Sequence, residues 1–314
     1  MGHSRPRDIP DVATGLFPVP GRVDELSPVV VRLTAPNPGM MTGPGTNSYL
    51  VGRSNLAVID PGPRDDAHIA ALLEVARVRG GIIRWVLVTH THADHAPGAA
   101  DLAKASGAEI IGFDDRDDFS PDHAVGEGWV TETPDFTLRA VHTPGHASNH
   151  LCWLLEESGM LFSGDHVMQG STVVIRPPDG EMGEYLASLD RLRWVTPEVR
   201  SIAPGHGRII ARPRVVLDGI IRHRIEREAM VAIALAEQDE ATVDALLPEV
   251  YADVPARLLP VARFSLWAHL RHLATQDRAQ CSALIDGKGL DLDALWRATN
   301  TTSEASPEAH LGLR

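Results

Sequence analysis

The chain has 314 residues, 43 % hydrophobic and 23 % charged, a composition typical of a soluble globular protein with a large core and room for two domains. Two cysteines exclude a disulfide framework, and a net charge of −13 argues against a surface that binds nucleic acid broadly. Residues 1–25 are predicted to be a flexible segment. Residues 1–10 are polar and lack the apolar core of a signal peptide, and the chain has no apolar run of about 20 residues, so we expect a cytoplasmic protein without a membrane partner.

The strongest local feature follows an apolar run at 82–88, which predicts a buried strand. Directly after it the chain reads Thr89-His90-Thr91-His92-Ala93-Asp94-His95. Three imidazoles and one carboxylate within six positions are donors that a divalent metal requires. The alternative is a histidine-rich, solvated turn, although such tracts often bind metal. The segment therefore predicts a metal site.

The spacing of these donors supports that prediction. Side chains at i and i+2 of an extended segment point the same way, so His90 and His92 can reach one ion together. Asp94 continues the alternation, whereas His95 points across it. One short loop could therefore supply two ligands to each of two neighbouring ions.

Three further donors follow strand-like runs. They are His146 in the segment His142-Thr-Pro-Gly-His146, Asp165 after Gly164, and His206 in Pro204-Gly-His-Gly207. Glycine permits close backbone approach and proline stiffens a turn, so a ligand placed beside them loses little conformational freedom on binding.

In this order and at these separations, the motifs resemble the metallo-β-lactamase superfamily of hydrolases. The resemblance implies an α/β (α+β) fold, an αββα sandwich with a binuclear site at one edge of two sheets. It also implies that His90, His92 and His146 hold one metal, that Asp94, His95 and His206 hold the other, and that Asp165 bridges them. Residues 42–52 are similar to the family's first hairpin. Asp60 is similar to a structural aspartate that holds a neighbouring histidine loop by hydrogen bonds.

The donor set also bears on the cofactor and the reaction. All candidate donors are imidazoles or carboxylates, a set that zinc accepts readily, so two zinc ions are predicted. Manganese or iron is also tolerated, because no cysteine falls in a ligand motif. Such a pair lowers the pKa of a bridging water, and the resulting hydroxide can attack a carbonyl carbon or a phosphorus. Asp94 and Asp165 are the predicted catalytic residues, with Asp94 orienting the nucleophile. True β-lactamases of the superfamily often carry cysteine at the position of Asp165.

The long loop after Asp165 is the predicted specificity element, since loops at the carboxyl ends of strands often carry function. Five of its residues are candidates to line the substrate cleft, with ordinary loop packing as the alternative: Met168, Ser171, Thr172, Arg176 and Tyr185. Arg176 could meet an anionic group. Elsewhere, His68 is predicted at the surface, and His269 and His272 as packing residues.

The catalytic domain is predicted to span residues 26–214, and a winged-helix-like domain residues 215–298, before a disordered tail at 299–314. The latter domain combines a long helix at 215–237, a Thr242-capped helix at 243–251, a helical stretch from Pro255, a strand at 281–285 and a turn at 286–289. This tail resembles the lactamase-like group that includes animal mitochondrial single-strand endoribonucleases and fungal polyketide thioesterases.

Three functions remain open from the sequence. The first is hydrolysis of an ester, thioester or related small acyl substrate, and the second is metal-dependent cleavage of single-stranded RNA. The third, least favoured, is a non-hydrolytic iron protein. Six arginines between Gly205 and Glu228 could form a basic groove, but i,i+4 pairs such as Arg224 with Glu228 favour a solvated helix. Residues 220–314 carry 10 basic and 14 acidic side chains, which favours a lid over an RNA-binding module.

Overall fold

A computed structural model describes residues 9–116, 118–195, 198–282 and 292–299. The chain divides into two compact units, the first ending at Arg224 and the second beginning at Ile225. This division falls inside one long helix, whereas the sequence analysis placed a domain boundary at residue 215.

The elements of the first unit are, in chain order, β1 (Ala13–Thr14), β2 (Val23–Ser27), β3 (Val30–Thr34), β4 (Asn47–Gly52), β5 (Asn55–Ile59), α1 (Asp66–Val78), β6 (Ile82–Leu87), α2 (Ala99–Ser106), β7 (Glu109–Gly112), β8 (His123–Ala124), β9 (Val130–Glu132), β10 (Thr137–His142), β11 (Leu151–Leu155), β12 (Met160–Gly164), α3 (Met182–Leu192), β13 (Ser201–Pro204) and β14 (Ile209–Ile210). Helix α4 (Pro213–Ala236) follows, and then α5 (Val243–Val250), α6 (Leu259–Thr275), β15 (Ala279–Cys281) and β16 (Trp296–Ala298).

Two seven-stranded sheets form the first unit, one in the order β2-β3-β4-β5-β6-β7-β8 and the other in the order β1-β14-β13-β12-β11-β10-β9. The core between them joins Tyr49 and Ile59 of the first sheet to Trp153 and Phe162 of the second, and all four side chains are buried. A second cluster packs the outer face of the first sheet against α1 and α2, with Leu72 fully buried. Strand β5 is therefore apolar on both faces, as expected for a central strand with helices outside it.

Strand directions explain why the sequence motifs converge. Strand β12 pairs parallel to β13, while β10 and β12 both pair antiparallel to β11. Strands β10, β12 and β13 therefore end at the same edge of their sheet. The loops that carry His146, Asp165 and His206 leave from that edge.

The segment predicted to be flexible, residues 1–25, contains regular structure in its described part. Strand β1 pairs antiparallel with β14, and β2 begins at Val23 and pairs with β3. Asp24 is buried and lies 2.5 Å from the buried guanidinium of Arg32, which also donates to the Leu16 carbonyl. A two-residue strand has no periodicity, and burial of an ion pair depends on distant partners, so the local pattern did not reveal either feature.

Two of the six arginines that could have formed a basic groove are buried. Arg224 donates to the Val173 carbonyl and lies over the Tyr185 ring, with its Cζ atom 5.5 Å from the centre of the ring. Arg227 forms a bidentate pair with Asp253, at 2.8 and 2.9 Å. The prediction that Arg224 pairs with Glu228 on a solvated helix face is therefore wrong, because Glu228 instead contacts His269 and His272.

The second unit has its own core, in which Leu266, Leu270 and Trp296 are buried. The predicted cap of α5 is confirmed, since the Thr242 hydroxyl accepts a hydrogen bond from the Ala245 amide at 3.2 Å. Strand β15 pairs antiparallel with β16. Most of the strand predicted at 281–285, the turn at 286–289 and the tail beyond 299 lie outside the described residues.

A buried charged cluster joins two helices of this unit. Glu228 Oε2 lies 3.2 Å from Nδ1 of His269 and 2.7 Å from Nδ1 of His272, and Arg278 is 3.8 Å from Oε1. Burial raises the pKa of Glu228, but hydrogen bonds from the two histidines outweigh it and lower the pKa to about 2. His269 is fully buried, in keeping with its predicted packing role. His68, in contrast, was predicted at the surface and is buried, with Nε2 2.9 Å from the Ser48 hydroxyl.

We expect Glu228→Gln to lower the free energy of unfolding at neutral pH by on the order of 1–3 kcal/mol. A carboxylate whose pKa is depressed on folding adds stability above its unfolded pKa, which is lost as the pH falls through the folded value. The difference between wild type and variant in urea unfolding should therefore shrink as the pH is lowered from about 4.5 toward 2. Glu237→Gln, an exposed glutamate of the same unit, is the control; a difference independent of pH would contradict this assignment.

Candidate metal centre

Two groups of possible metal donors lie at the edge where β6, β10, β12 and β13 end. One group contains His90, His92 and His146, and the other contains Asp94, His95, Asp165 and His206. Within each group the donor atoms all lie within 4.8 Å of one another. The structure therefore brings together all seven residues predicted from four separate motifs.

The first group is a triangle of imidazole nitrogens. His92 Nδ1 lies 2.9 Å from His90 Nε2 and 3.1 Å from His146 Nε2. His90 and His146 are buried, whereas His92 is exposed. Two imidazoles at alternate positions of the loop thus meet a third from the opposite sheet.

The second group alternates imidazoles with carboxylates. His206 Nε2 lies 3.1 Å from Asp94 Oδ2 and 3.3 Å from Asp165 Oδ1, and His95 Nε2 lies 3.4 and 3.3 Å from the same two oxygens. The other oxygen of Asp165 is 3.9 Å from His146 Nε2 in the first group. Asp165 therefore stands between the two groups, where a bridging ligand would be needed.

Backbone hydrogen bonds between the sheets hold this edge together. Leu151 donates to the Thr89 carbonyl at 2.7 Å, and Asn47 donates to the Gly205 carbonyl at 2.8 Å. The Asn47 side chain also donates to the carbonyls of Pro204 and Gly207, each at 3.0 Å. The loop that carries His206 is thereby fixed to the first sheet from both sides of the histidine.

The outer nitrogens of three histidines meet groups that only accept hydrogen bonds. His95 Nδ1 is 2.8 Å from Asp60 Oδ2, His146 Nδ1 is 2.9 Å from the Val174 carbonyl, and His206 Nδ1 is 3.2 Å from the Gly45 carbonyl. Each Nδ1 must therefore carry a proton, so Nε2, which faces the cluster, is the nitrogen that can take up a metal ion or a second proton.

Asp60 anchors the histidine loop as the sequence predicted. Besides His95, its carboxylate accepts hydrogen bonds from the Thr89 amide at 2.8 Å and the Thr89 hydroxyl at 2.7 Å. Its own φ is 50°, in the left-handed region that few residues other than glycine adopt. Three hydrogen bonds offset the cost of this backbone conformation and orient the loop.

The electrostatics of the second group favour positive charge. Burial lowers the pKa of His206, but the Asp165 and Asp94 carboxylates outweigh it and raise the pKa to about 9. Burial raises the pKa of Asp94 and Asp165, but the neighbouring histidines hold both below their usual range. The cluster therefore stabilises a cation, either a proton or a metal ion.

The donor set fits divalent cations. Among the described residues, His95 Nε2 and Asp165 Oδ1 are buried without a hydrogen-bond partner, although each faces other members of the group. Gly205 lies so close that a Cβ on it would stand 2.7 Å from His95 and 2.8 Å from Asp165, so the loop requires glycine here. Imidazole nitrogens and carboxylate oxygens that converge in this way, buried and without other partners, are the arrangement that a metal site requires.

The predicted substrate residues lie in different environments. Ser171 and Arg176 are exposed, and Met168 and Thr172 are half-buried, all in the irregular segment between β12 and α3. Tyr185 is fully buried; its hydroxyl donates to the His166 carbonyl at 3.0 Å. Tyr185 therefore supports the loop behind Asp165 and does not face a cleft.

Sequence reasoning missed the contributions of Thr89, Asn47 and the carbonyls of Gly45 and Val174. A backbone carbonyl can come from any residue and has no sequence signal. The position of Thr89, directly before His90 in the histidine motif, was the one clue that the sequence offered to its role.

Comparisons with known proteins agree with this geometry. The model of the metallo-beta-lactamase superfamily matches residues 41–206, and that of the beta-lactamase associated winged helix domain matches residues 242–284. A Drosophila melanogaster relative, beta-lactamase-like protein 2 homolog, is 30 % identical over 281 residues, 84 % of this chain and 94 % of that protein. A Passalora fulva relative named atrochrysone carboxyl ACP thioesterase is 32 % identical over 246 residues, 73 % of this chain and 70 % of that protein.

A solved structure shows the same fold. The crystal structure of a beta-lactamase domain protein from Burkholderia ambifaria aligns with a TM-score of 0.75 and 22 % identity, and covers 93 % of this chain and 97 % of that one. The predicted sandwich with a C-terminal winged-helix domain is confirmed. The chain belongs to the metallo-beta-lactamase superfamily and carries that superfamily's associated winged helix domain.

Proposed function

We propose that this hydrolase cleaves an ester or thioester of a small acyl substrate, with two metal ions held by the seven clustered residues. The observation that carries the proposal is the pair of adjacent donor groups with Asp165 between them. The thioesterase named among the relatives supports the choice of an acyl substrate.

Two ions held by the seven clustered residues would supply a water of lowered pKa and would polarise the carbonyl under attack. The protein's own contribution is orientation. Asp94 and Asp165 remain carboxylates at neutral pH because the neighbouring histidines depress their pKa values. Asp94 can therefore accept a hydrogen bond from the attacking water and fix its direction, while Asp165 keeps the two groups at a constant separation.

Zinc is the proposed metal, with manganese or iron tolerated, because the donors are imidazoles and carboxylates. Cys152 contributes no thiolate, since burial raises the pKa of its thiol to about 12. Cys281 lies in β15 of the second unit and belongs to neither donor group.

Burial of basic residues favours an acyl substrate over RNA. Arg224 and Arg227, two of the six arginines that could have formed a phosphate-binding groove, are buried against Val173 and Asp253.

Among the described residues, no helix is both long and apolar enough to cross a membrane.

A substrate panel tests the proposal. Thioesters of N-acetylcysteamine, p-nitrophenyl acetate, bis-p-nitrophenyl phosphate and labelled single-stranded RNA would be assayed before and after dialysis against a chelator. We expect thioester turnover to disappear on chelation and to return with zinc, while RNA stays intact. Metal-dependent cleavage of RNA without thioester turnover would replace the proposed function with the phosphodiesterase alternative.

A further inference from the structure

Thr89 lies between the end of β6 and the first histidine of the loop, and it is almost completely buried. Its amide donates to Asp60, and its carbonyl accepts a hydrogen bond from the Leu151 amide of the opposite sheet at 2.7 Å. A Cβ on Gly164 would stand 2.5 Å from the Thr89 hydroxyl oxygen, so the residue before Asp165 packs directly against this hydroxyl. Contacts with both sheets therefore fix the position of the Thr89 side chain.

The Thr89 hydroxyl lies beside two polar groups and can donate its single proton to only one of them. The hydroxyl oxygen is 2.7 Å from Asp60 Oδ2 and 3.0 Å from His90 Nδ1. A carboxylate oxygen can only accept a hydrogen bond, so the hydroxyl proton is directed at Asp60. A lone pair of the hydroxyl oxygen then faces His90, and His90 Nδ1 must be the donor in the second hydrogen bond.

The surroundings of the His90 ring keep its two nitrogens in different environments. His150 stacks on the ring, with the ring centres 5.0 Å apart and an angle of 28° between the planes. Both imidazoles are buried, and His150 Nδ1 lies 2.9 Å from the Thr143 hydroxyl. The second nitrogen of His90, Nε2, lies 2.9 Å from His92 Nδ1 in the three-histidine group. Nδ1 of His90 therefore points at Thr89, and Nε2 points at the other donors of the group.

We propose that Thr89 is a positioning residue, which keeps the proton of His90 on Nδ1 and so leaves Nε2 available to a metal ion. The inference rests on the metal centre of the proposed function and adds to it a residue outside the seven donors. His95, His146 and His206 donate from Nδ1 to a carboxylate or a backbone carbonyl. Thr89 extends the same control to a fourth imidazole through a side-chain hydroxyl.

Loss of the hydroxyl is expected to move the proton of His90. In Thr89→Val a methyl group replaces the hydroxyl, and a buried N–H without an acceptor costs free energy. The proton would then settle on Nε2, where His92 Nδ1 can accept it, and a metal ion would have to displace it. We expect the ion of the three-histidine group to bind about 10–100-fold more weakly. The ion held with His206 should keep an affinity close to that of the wild type.

The first measurement is made on metal-free protein and locates the proton directly. Long-range proton–nitrogen correlations of isotope-labelled histidine distinguish protonation at Nδ1 from protonation at Nε2. The His90 signals are assigned by their absence from His90→Asn. We expect Nδ1–H in the wild type and in Thr89→Ser, which keeps the hydroxyl, and Nε2–H in Thr89→Val. The matched control is Thr131→Val, at a buried threonine of β9, which should leave the His90 signals unchanged.

The second measurement is the affinity of each ion, from competition with a chromogenic chelator. His146→Asn and His206→Asn, which each remove a donor from one group, assign the ions to the groups. A loss of affinity in Thr89→Val that is absent from Thr89→Ser would support the proposal.

Two results would overturn the role of Thr89. They are Nε2–H on His90 in the metal-free wild type, and equal affinities for the ion of the three-histidine group in Thr89→Val and Thr89→Ser. A wild type that binds no metal ion would instead overturn the proposed metal centre, while the proton position in metal-free protein would still decide whether Thr89 orients His90.

Discussion

Asp165→Asn is expected to reduce thioester turnover by more than about 100-fold and to leave less than two metal ions bound per chain. The substitution preserves shape but removes the negative charge that faces His95 and His206 at 3.3 Å and His146 at 3.9 Å. Residues that only orient ligands cost about 10–100-fold when changed, and a residue between both groups should cost more. Metal content after dialysis, measured by mass spectrometry, and kcat/KM would be determined together.

Asp66→Asn provides the matched control, since this aspartate is exposed in the first turn of α1. It should bind as much metal as the wild type. Full metal content and full activity in Asp165→Asn would show that Asp165 does not join the two groups.

Asp60→Asn is expected to weaken binding of one metal ion by about 10–100-fold while the protein stays folded. An amide placed at Oδ2 would donate to His95 Nδ1, where the carboxylate accepts at 2.8 Å. The imidazole proton would then move to Nε2, the nitrogen that faces Asp94 and Asp165. Competition with a chromogenic chelator measures the affinity of each ion separately.

Asp135→Asn is the control for this substitution, because its carboxylate accepts a hydrogen bond from the Ser54 amide in another part of the chain. Equal loss of affinity for both ions, or unchanged affinity, would contradict the assigned role of Asp60. A melting temperature close to that of the wild type would separate loss of orientation from loss of folding.

The histidine loop shows how far sequence reasoning reached. Its alternation placed His90 and His92 on one side, and the distances between their nitrogens and His146 agree with that reading. The predicted helices at 215–237 and 243–251 correspond to α4 and α5 within two residues at each end. Local periodicity and capping chemistry are properties of neighbouring residues, so the sequence contains them.

Burial was predicted less well. Tyr185 and His68 are fully or almost fully enclosed, and Arg224 lies against Val173. Each outcome depends on residues more than 15 positions away, which no local window includes. The arginine-rich helix therefore resembled a solvated surface in sequence although part of it is a packing element.

The amino-acid sequence contained the order of the donors along the chain, the chemical type of each donor and the strands that precede them. The fixing of three imidazole tautomers by Asp60, Val174 and Gly45 and the coupling of Asn47 to the His206 loop arise only in the folded chain. The physical reason is that side-chain chemistry is encoded residue by residue, whereas hydrogen bonds to the backbone carbonyls of distant residues exist only after those segments have packed together.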